Sequence, residues 1–316
     1  MGDTEQADAA MVAATPPVLL CVFSRPEITR RQLEVLKRAR VSELYVAADG
    51  PRAGNPLDAE RCGRVRALID AVDWPVNVHR LFRDSNVGLD EAMVSSIDWF
   101  FTHVEAGIVL EDDCVPVVEW FRFAREILDR FAGVPRVMQV SALNMADGER
   151  YTTHSYFFAE VGHIWGWATW RRAWTLYDRA LDDWPLIREE VARDATPLRR
   201  MLARKFDSAH AGRKASWTRS WYFTQIRFGG LAVIPSVNLV ENIGVGDDAT
   251  HPRRRRHPLR RPATRRMAFP LDHPEDAMPN ARYERHLARY HARSYAQRAR
   301  ERVLILRDAL GFRRRS

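Results

Sequence analysis

Three consecutive carboxylates, Glu111, Asp112 and Asp113, follow the apolar run Gly107-Ile-Val-Leu110. Such a run reads as a buried strand, which puts the acids just past its carboxyl end. Ligands of open α/β sheets bind at that edge. Adjacent carboxylates repel one another and gain little from folding unless a cation offsets them. Mg²⁺ and Mn²⁺ favour oxygen ligands of this kind and often complete their coordination with substrate phosphates. The chemistry indicated is a metal-bridged diphosphate, in which charge on a departing nucleotide is neutralised. Acids that merely face solvent or cap the next helix are the plainer alternative.

The chain that positions these acids alternates strand and helix four times. Strands are predicted at 17–23, 44–48, 76–82 and 107–110, and helices from about 27 to 40, 59 to 72 and 92 to 104. The alternation predicts an α/β fold with a mostly parallel sheet and helices on both faces. Its strand ends bring Ser24, Arg25, Asp49 and the triplet to one edge. Farther on, a helix at 118–131 and a strand at 136–142 are expected. An aromatic stretch follows at 156–174, centred on Ile164-Trp-Gly-Trp-Ala-Thr-Trp170, then one helix over 187–206. Helix 217–228, strand 231–234 and a polar loop to His251 complete the body.

Length and composition narrow the class. With 316 residues, 46% of them hydrophobic, the chain can bury a large core. Cys21, Cys62 and Cys114 are scattered without metal-ligand spacing, as expected of buried thiols in a reducing compartment. The N-terminus is acidic, unlike a signal peptide, and no apolar run approaches the ~20 residues of a membrane span. A cytoplasmic protein is expected. Of 49 Lys and Arg and 41 Asp and Glu, residues 251–316 hold 19 and 6, leaving 30 against 35 for residues 1–250. The basicity therefore belongs to the tail. Arg253-Arg-Arg-Arg256 could attach it peripherally to an anionic membrane, at about 1 kcal/mol per basic residue. No aromatic-interleaved platform for nucleic acid accompanies these arginines.

Several ordered motifs together resemble the GT-A glycosyltransferases, the nucleotide-diphospho-sugar transferase fold. They are Pro17-Val-Leu-Leu-Cys-Val-Phe-Ser-Arg25, Ala48-Asp-Gly50, Val109-Leu-Glu-Asp-Asp113 and Val140-Ser-Ala-Leu-Asn144. Gly166-Trp167, Trp217 to Trp221 and Val237 to His251 continue the series. The match runs from about Pro17 to Pro274 and is similar to bacterial relatives of the Golgi N-acetylglucosaminyltransferases that initiate complex N-glycans. The implied layout is an N-terminal segment 1–14, a GT-A-like domain 15–275 and a basic helical extension 276–316.

The resemblance also implies roles. Asp49 would hold the base of a UDP- or GDP-sugar, Arg25 its phosphates with Ser24 beside it, and Glu111 and Asp112 the ribose or donor sugar. Asp113, with Asp112 and with His251 closing the Gly246 to His251 motif, would bind Mn²⁺ or Mg²⁺. Trp167 would line the sugar pocket. Transfer would be inverting, to a glycan or other hydroxyl acceptor. The family's base is an Asp following Trp217, but this chain has Thr218, whose hydroxyl titrates far too high for a general base. Asp207, Asp247 or Asp248 would have to substitute. A non-catalytic nucleotide-sugar binder and a nucleotidyltransferase remain alternatives, although Phe23-Ser-Arg-Pro26 lacks the glycines of a phosphate loop.

Overall fold

The computed structural model describes residues 15–145, 150–193, 196–213, 216–244 and 262–291. Asp247, Asp248, His251, the Arg253 to Arg256 run and residues 292–316 lie outside them.

The first half consists of the expected β-α units. Strand β1, Val18–Val22, is buried along its whole length. Helix α1, Pro26–Arg38, starts at a proline, carries Glu27 in its first turn and Lys37 and Arg38 in its last. That arrangement fits both the missing proline amide and the helix dipole. After β2, Glu43–Ala48, helix α2, Pro56–Asp70, is capped by the Asn55 side chain, which accepts from the Asp58 amide. Strand β3 is Asn77–Phe82, and helix α3, Leu89–His103, follows Gly88, whose φ of 84° favours glycine. Strand β4, Ala106–Leu110, leads to the acids. Gly107 within it passes so close to Phe100 and the Pro17 carbonyl that a Cβ would clash with both.

The second half supplies β5, Cys114–Pro116, helix α4, Glu119–Arg130, and β6, Val137–Ser141. Strands β7, Tyr156–Ala159, and β8, Trp167–Trp170, come from the aromatic stretch. Helix α5, Arg171–Trp174, is a single turn. The helix expected over 187–206 is two helices, α6, Trp184–Arg193, and α7, Pro197–His210. The break is local chemistry: Thr196 is extended, its hydroxyl accepts from the Arg199 amide, and Pro197 opens the next helix. Helix α8, Trp217–Arg227, precedes β9, Leu231–Pro235, and β10, Val240–Asn242.

Eight strands form one sheet in the order β3-β2-β1-β4-β8-β6-β9-β7. Strands β1 to β4 pair in parallel, as do β6 and β9, whereas β8 runs antiparallel to β4 and β6, and β7 to β9. The α/β, mostly parallel sheet read from the sequence is therefore present, with one reversed strand inserted at its centre. A second, two-stranded sheet pairs β5 with β10 immediately beyond the acids.

Residues 281–291 are helical, α9, with a first turn capped by Asn280 accepting from the Arg282 and Tyr283 amides. Tyr283 and Leu287 from it are buried in the main core. Asn280 also joins the body through its amide, bonded to the Phe158 carbonyl.

Candidate functional site

A cleft of about 480 Å³ opens where the carboxyl ends of β1, β2 and β4 meet. Its lining includes Arg25, Asp49, Glu111, Asp112 and Asp113, so the fold brings together five of the residues selected from sequence. The reason is topological: parallel neighbours end at the same edge, and the residues following each strand face one hollow.

The acids occupy the turn between β4 and β5. Pairing of β5 with β10, together with the Ile243 amide bonded to the Asp113 carbonyl at 2.8 Å, fixes that turn. Gln32 of α1 donates to the Glu111 and Cys114 carbonyls, each at 2.8 Å. Gly244 lies so close that a Cβ would stand 2.2 Å from the Asp113 carboxylate. Only glycine leaves that carboxylate its place.

Arg25 faces the acids, with Nη1 2.8 Å from Asp112 Oδ1 and 3.8 Å from Asp113 Oδ2. One guanidinium thus contacts two of the three carboxylates. Loss of hydration pushes Asp112 up to about 6, opposed by Arg25 and reinforced by Asp113. At about 6 it is still mostly ionised at neutral pH, and its side chain keeps 22% of its surface. Burial, then Asp113 and Asp112, pushes Glu111 upward, and Arg25 pulls it back. Glu111 Oε1 is buried and has no hydrogen-bond partner among the described residues.

This donor set fits a divalent cation. Two partly exposed carboxylates and a third with an unpartnered oxygen suit Mg²⁺ or Mn²⁺ held by one or two acids plus ligand phosphates. Among the described residues no group of three His, Cys, Asp or Glu is arranged to hold a metal unaided.

Asp49 has a narrower part than expected. Its carboxylate accepts from the Gly50 amide at 2.9 Å, the Asn86 side chain at 2.8 Å and the Val87 amide at 3.2 Å. A carboxylate has about four acceptor positions, so roughly one is left for a ligand. Its main work is to pin loop 84–88 to the end of β2. Gly50 permits that closeness, since a Cβ there would lie 2.4 Å from the Ser85 backbone. Ser24 follows β1 beside Arg25 and is half-buried.

Two other expectations are corrected. Trp167 is fully buried in β8 and packs on Trp174, Trp217 and Trp221, with ring centroids 5.5 to 6.3 Å apart. It is core, because the inserted strand lies between two others and turns that face inward. Asp207 sits on α7, where its carboxylate accepts from Arg188 Nε at 2.8 Å and Trp184 Nε1 at 3.1 Å. Arg188 holds it below the usual carboxylate range. A carboxylate held by a cation and shifted downward makes a poor base.

Sequence reading passed over Arg52, Arg83 and Asn86, which also line the cleft. Arg52 is held by Asp58 at 2.5 and 2.9 Å, and Arg83 by the Ser95 and Ser96 hydroxyls at 2.8 and 3.1 Å. Both follow strands at the ligand edge, so the strand-end rule that selected Arg25 would have found them. Asp90 was also passed over. It stands one residue past Leu89, which lines the cleft, and accepts from the Trp217 amide at 2.9 Å. Thr218 is the next residue of helix α8.

No family model matches the chain, and no curated protein matches its sequence. Solved structures align remotely. HddC from Yersinia pseudotuberculosis, complexed with GMP-PN, is 9% identical with a TM-score of 0.30, covering 50% of this chain and 77% of that one. The mannosyltransferase PcManGT from Pyrobaculum calidifontis, in complex with GDP-Man and Mn²⁺, is 13% identical with a TM-score of 0.33, covering 68% and 74%. Likeness at this level carries no argument about chemistry, which rests on the cleft itself.

Proposed function

We propose that the cleft binds a nucleoside-diphosphate sugar and that the protein transfers the sugar to an acceptor hydroxyl. The observation supporting this is the facing of Arg25 and Asp112-Asp113 at the carboxyl edge of a parallel sheet, in a hollow large enough for a nucleotide. Arg25 and Arg83 offer planar forks that match diphosphate oxygens. Phe23 and Leu89 give the base an apolar wall, and the remaining acceptor position of Asp49 can take one donor from it. A divalent cation on Asp112 and Asp113 would supply Lewis-acid stabilisation of the leaving diphosphate. We assign removal of the acceptor proton to Asp90, whose carboxylate accepts from the amide of Trp217, the residue before Thr218.

Titration calorimetry with UDP and GDP, with and without Mn²⁺, tests the reading. The Asp113→Asn chain should bind at least about tenfold more weakly in Mn²⁺, the loss of a charged contact. Unchanged Mn²⁺-dependent affinity would remove the proposal. Asp90→Asn should keep nucleotide affinity while lowering turnover by about 10²- to 10⁴-fold, the range for a general base. Undiminished turnover would discard Asp90 and leave the donor site standing.

A further inference from the structure

A second cleft, of about 800 Å³, lies where α7, α8 and α9 meet. Six of its lining side chains are cationic: Arg200, Arg204, Lys205, Arg219, Arg285 and Arg289. Among the described lining residues none is acidic. Arg200 and Arg204, and likewise Arg285 and Arg289, are four apart on their helices, so two ridges of arginine face one hollow. The acids of these helices turn elsewhere, Asp207 to Arg188 and Glu284 to the Glu160 amide. A wall this rich in cationic side chains attracts an anion.

The identity of that anion follows from the lining. Guanidinium forks match phosphate oxygens in pairs, and Met201, Pro197 and Ala288 add an apolar margin for the rest of a molecule. Among the described lining residues no aromatic ring is present on which a nucleic-acid base would stack. Helix α8 links this cleft to the proposed chemistry. Arg219 follows Thr218 directly, one turn before Tyr222, and the Lys205 ammonium lies 5.9 Å from the Tyr222 ring. The Trp217 amide at the start of the same helix is the group bonded to Asp90.

We propose that this cleft binds the phosphate or diphosphate group of an ester, and that this ester is the sugar acceptor. The acceptor role rests on the transferase reading, whereas the anion site does not.

The test is titration calorimetry of the full chain with inorganic pyrophosphate, in chelator so that no divalent cation assists. One saturable event is expected, weakened about tenfold or more in Arg219→Ala/Arg289→Ala, the loss of charge-assisted bonds, and unchanged in Arg25→Ala. Should the double variant fail to fold, the more exposed pair Arg204→Gln/Arg285→Gln serves the same purpose. Absence of saturation, or loss that follows Arg25→Ala instead, overturns the proposal. So does tighter binding of a single-stranded oligonucleotide than of pyrophosphate.

Cosedimentation separates the sources of the group. Retention on phosphatidylcholine vesicles bearing a polyprenyl diphosphate, and not on vesicles bearing phosphatidylglycerol, marks a lipid-borne ester. Pyrophosphate binding without vesicle retention marks a soluble one. Equal retention on both vesicles indicates general surface attraction and overturns the site. Mn²⁺-dependent GDP and UDP affinity should stay at the wild-type level in the double variant. A chain that binds pyrophosphate here but no nucleotide loses the transferase reading and keeps the anion site.

Discussion

Carboxylates in this molecule differ by what surrounds them more than by what they are. Asp49 spends its acceptor capacity on its own loop, whereas Asp112 meets a single guanidinium and a second acid. Glu284 is a third kind. It is buried on α9, accepts from the Glu160 amide at 2.9 Å, and burial pushes its pKa to about 7. Because the folded value exceeds the usual 4.5, its contribution is full below pH 4.5 and is lost as pH rises through 7. Glu284→Gln should remove that decline, on the order of 3 kcal/mol between pH 4.5 and 8. His163 works in the opposite sense. Burial, then Lys205, lowers it from 6.5 to about 3, so stability falls as pH drops through that window. Melting temperature measured from pH 4 to 8 should therefore lose its alkaline limb in Glu284→Gln and keep its acid limb. Persistence of the alkaline limb would assign it to another group.

At the scale of elements, legibility followed the range of the interactions. Strands β1, β2 and β4 announce themselves because each is an apolar run between polar turns, and runs of that kind belong to parallel strands covered on both sides. Strand β8 does not announce itself. Trp167 to Trp170 shows no alternation, and its partners Val109 and Ser141 are remote in sequence. A tryptophan after a glycine reads equally well as a sugar platform or as packing, and only the insertion of β8 between β4 and β6 decides for packing. The split between α6 and α7 was marked by Thr196-Pro197, a cap-and-proline signal that apolar periodicity overrode. In the cleft, Arg25 and the acids were legible from the strand-end rule. The contact between Asp90 and the Trp217 amide was not, since it joins residues 127 apart.

For the molecule as a whole, the basic C-terminal segment begins inside the body. Tyr283 and Leu287 are buried against the main core, Tyr283 edge-on to Phe157 at 4.8 Å. Ending the chain after Glu275 removes both, at about 5 kcal/mol by apolar burial, and should lower the melting temperature by roughly 10 °C for a domain this size. An unchanged melting temperature would show that α9 contributes nothing to the fold. The same deletion takes away Arg285 and Arg289, so pyrophosphate affinity should fall with it. Strand order has a further meaning for biosynthesis. The first four strands can assemble once residue 110 has left the ribosome, but the neighbour that covers β4 is β8, which starts at Trp167. Until then the nascent sheet carries an unpaired Ile108-Val109-Leu110 border. Strand borders of that composition recruit other chains. The emerging polypeptide is thus most exposed to self-association, and most dependent on a chaperone, during synthesis of the segment between β4 and β8.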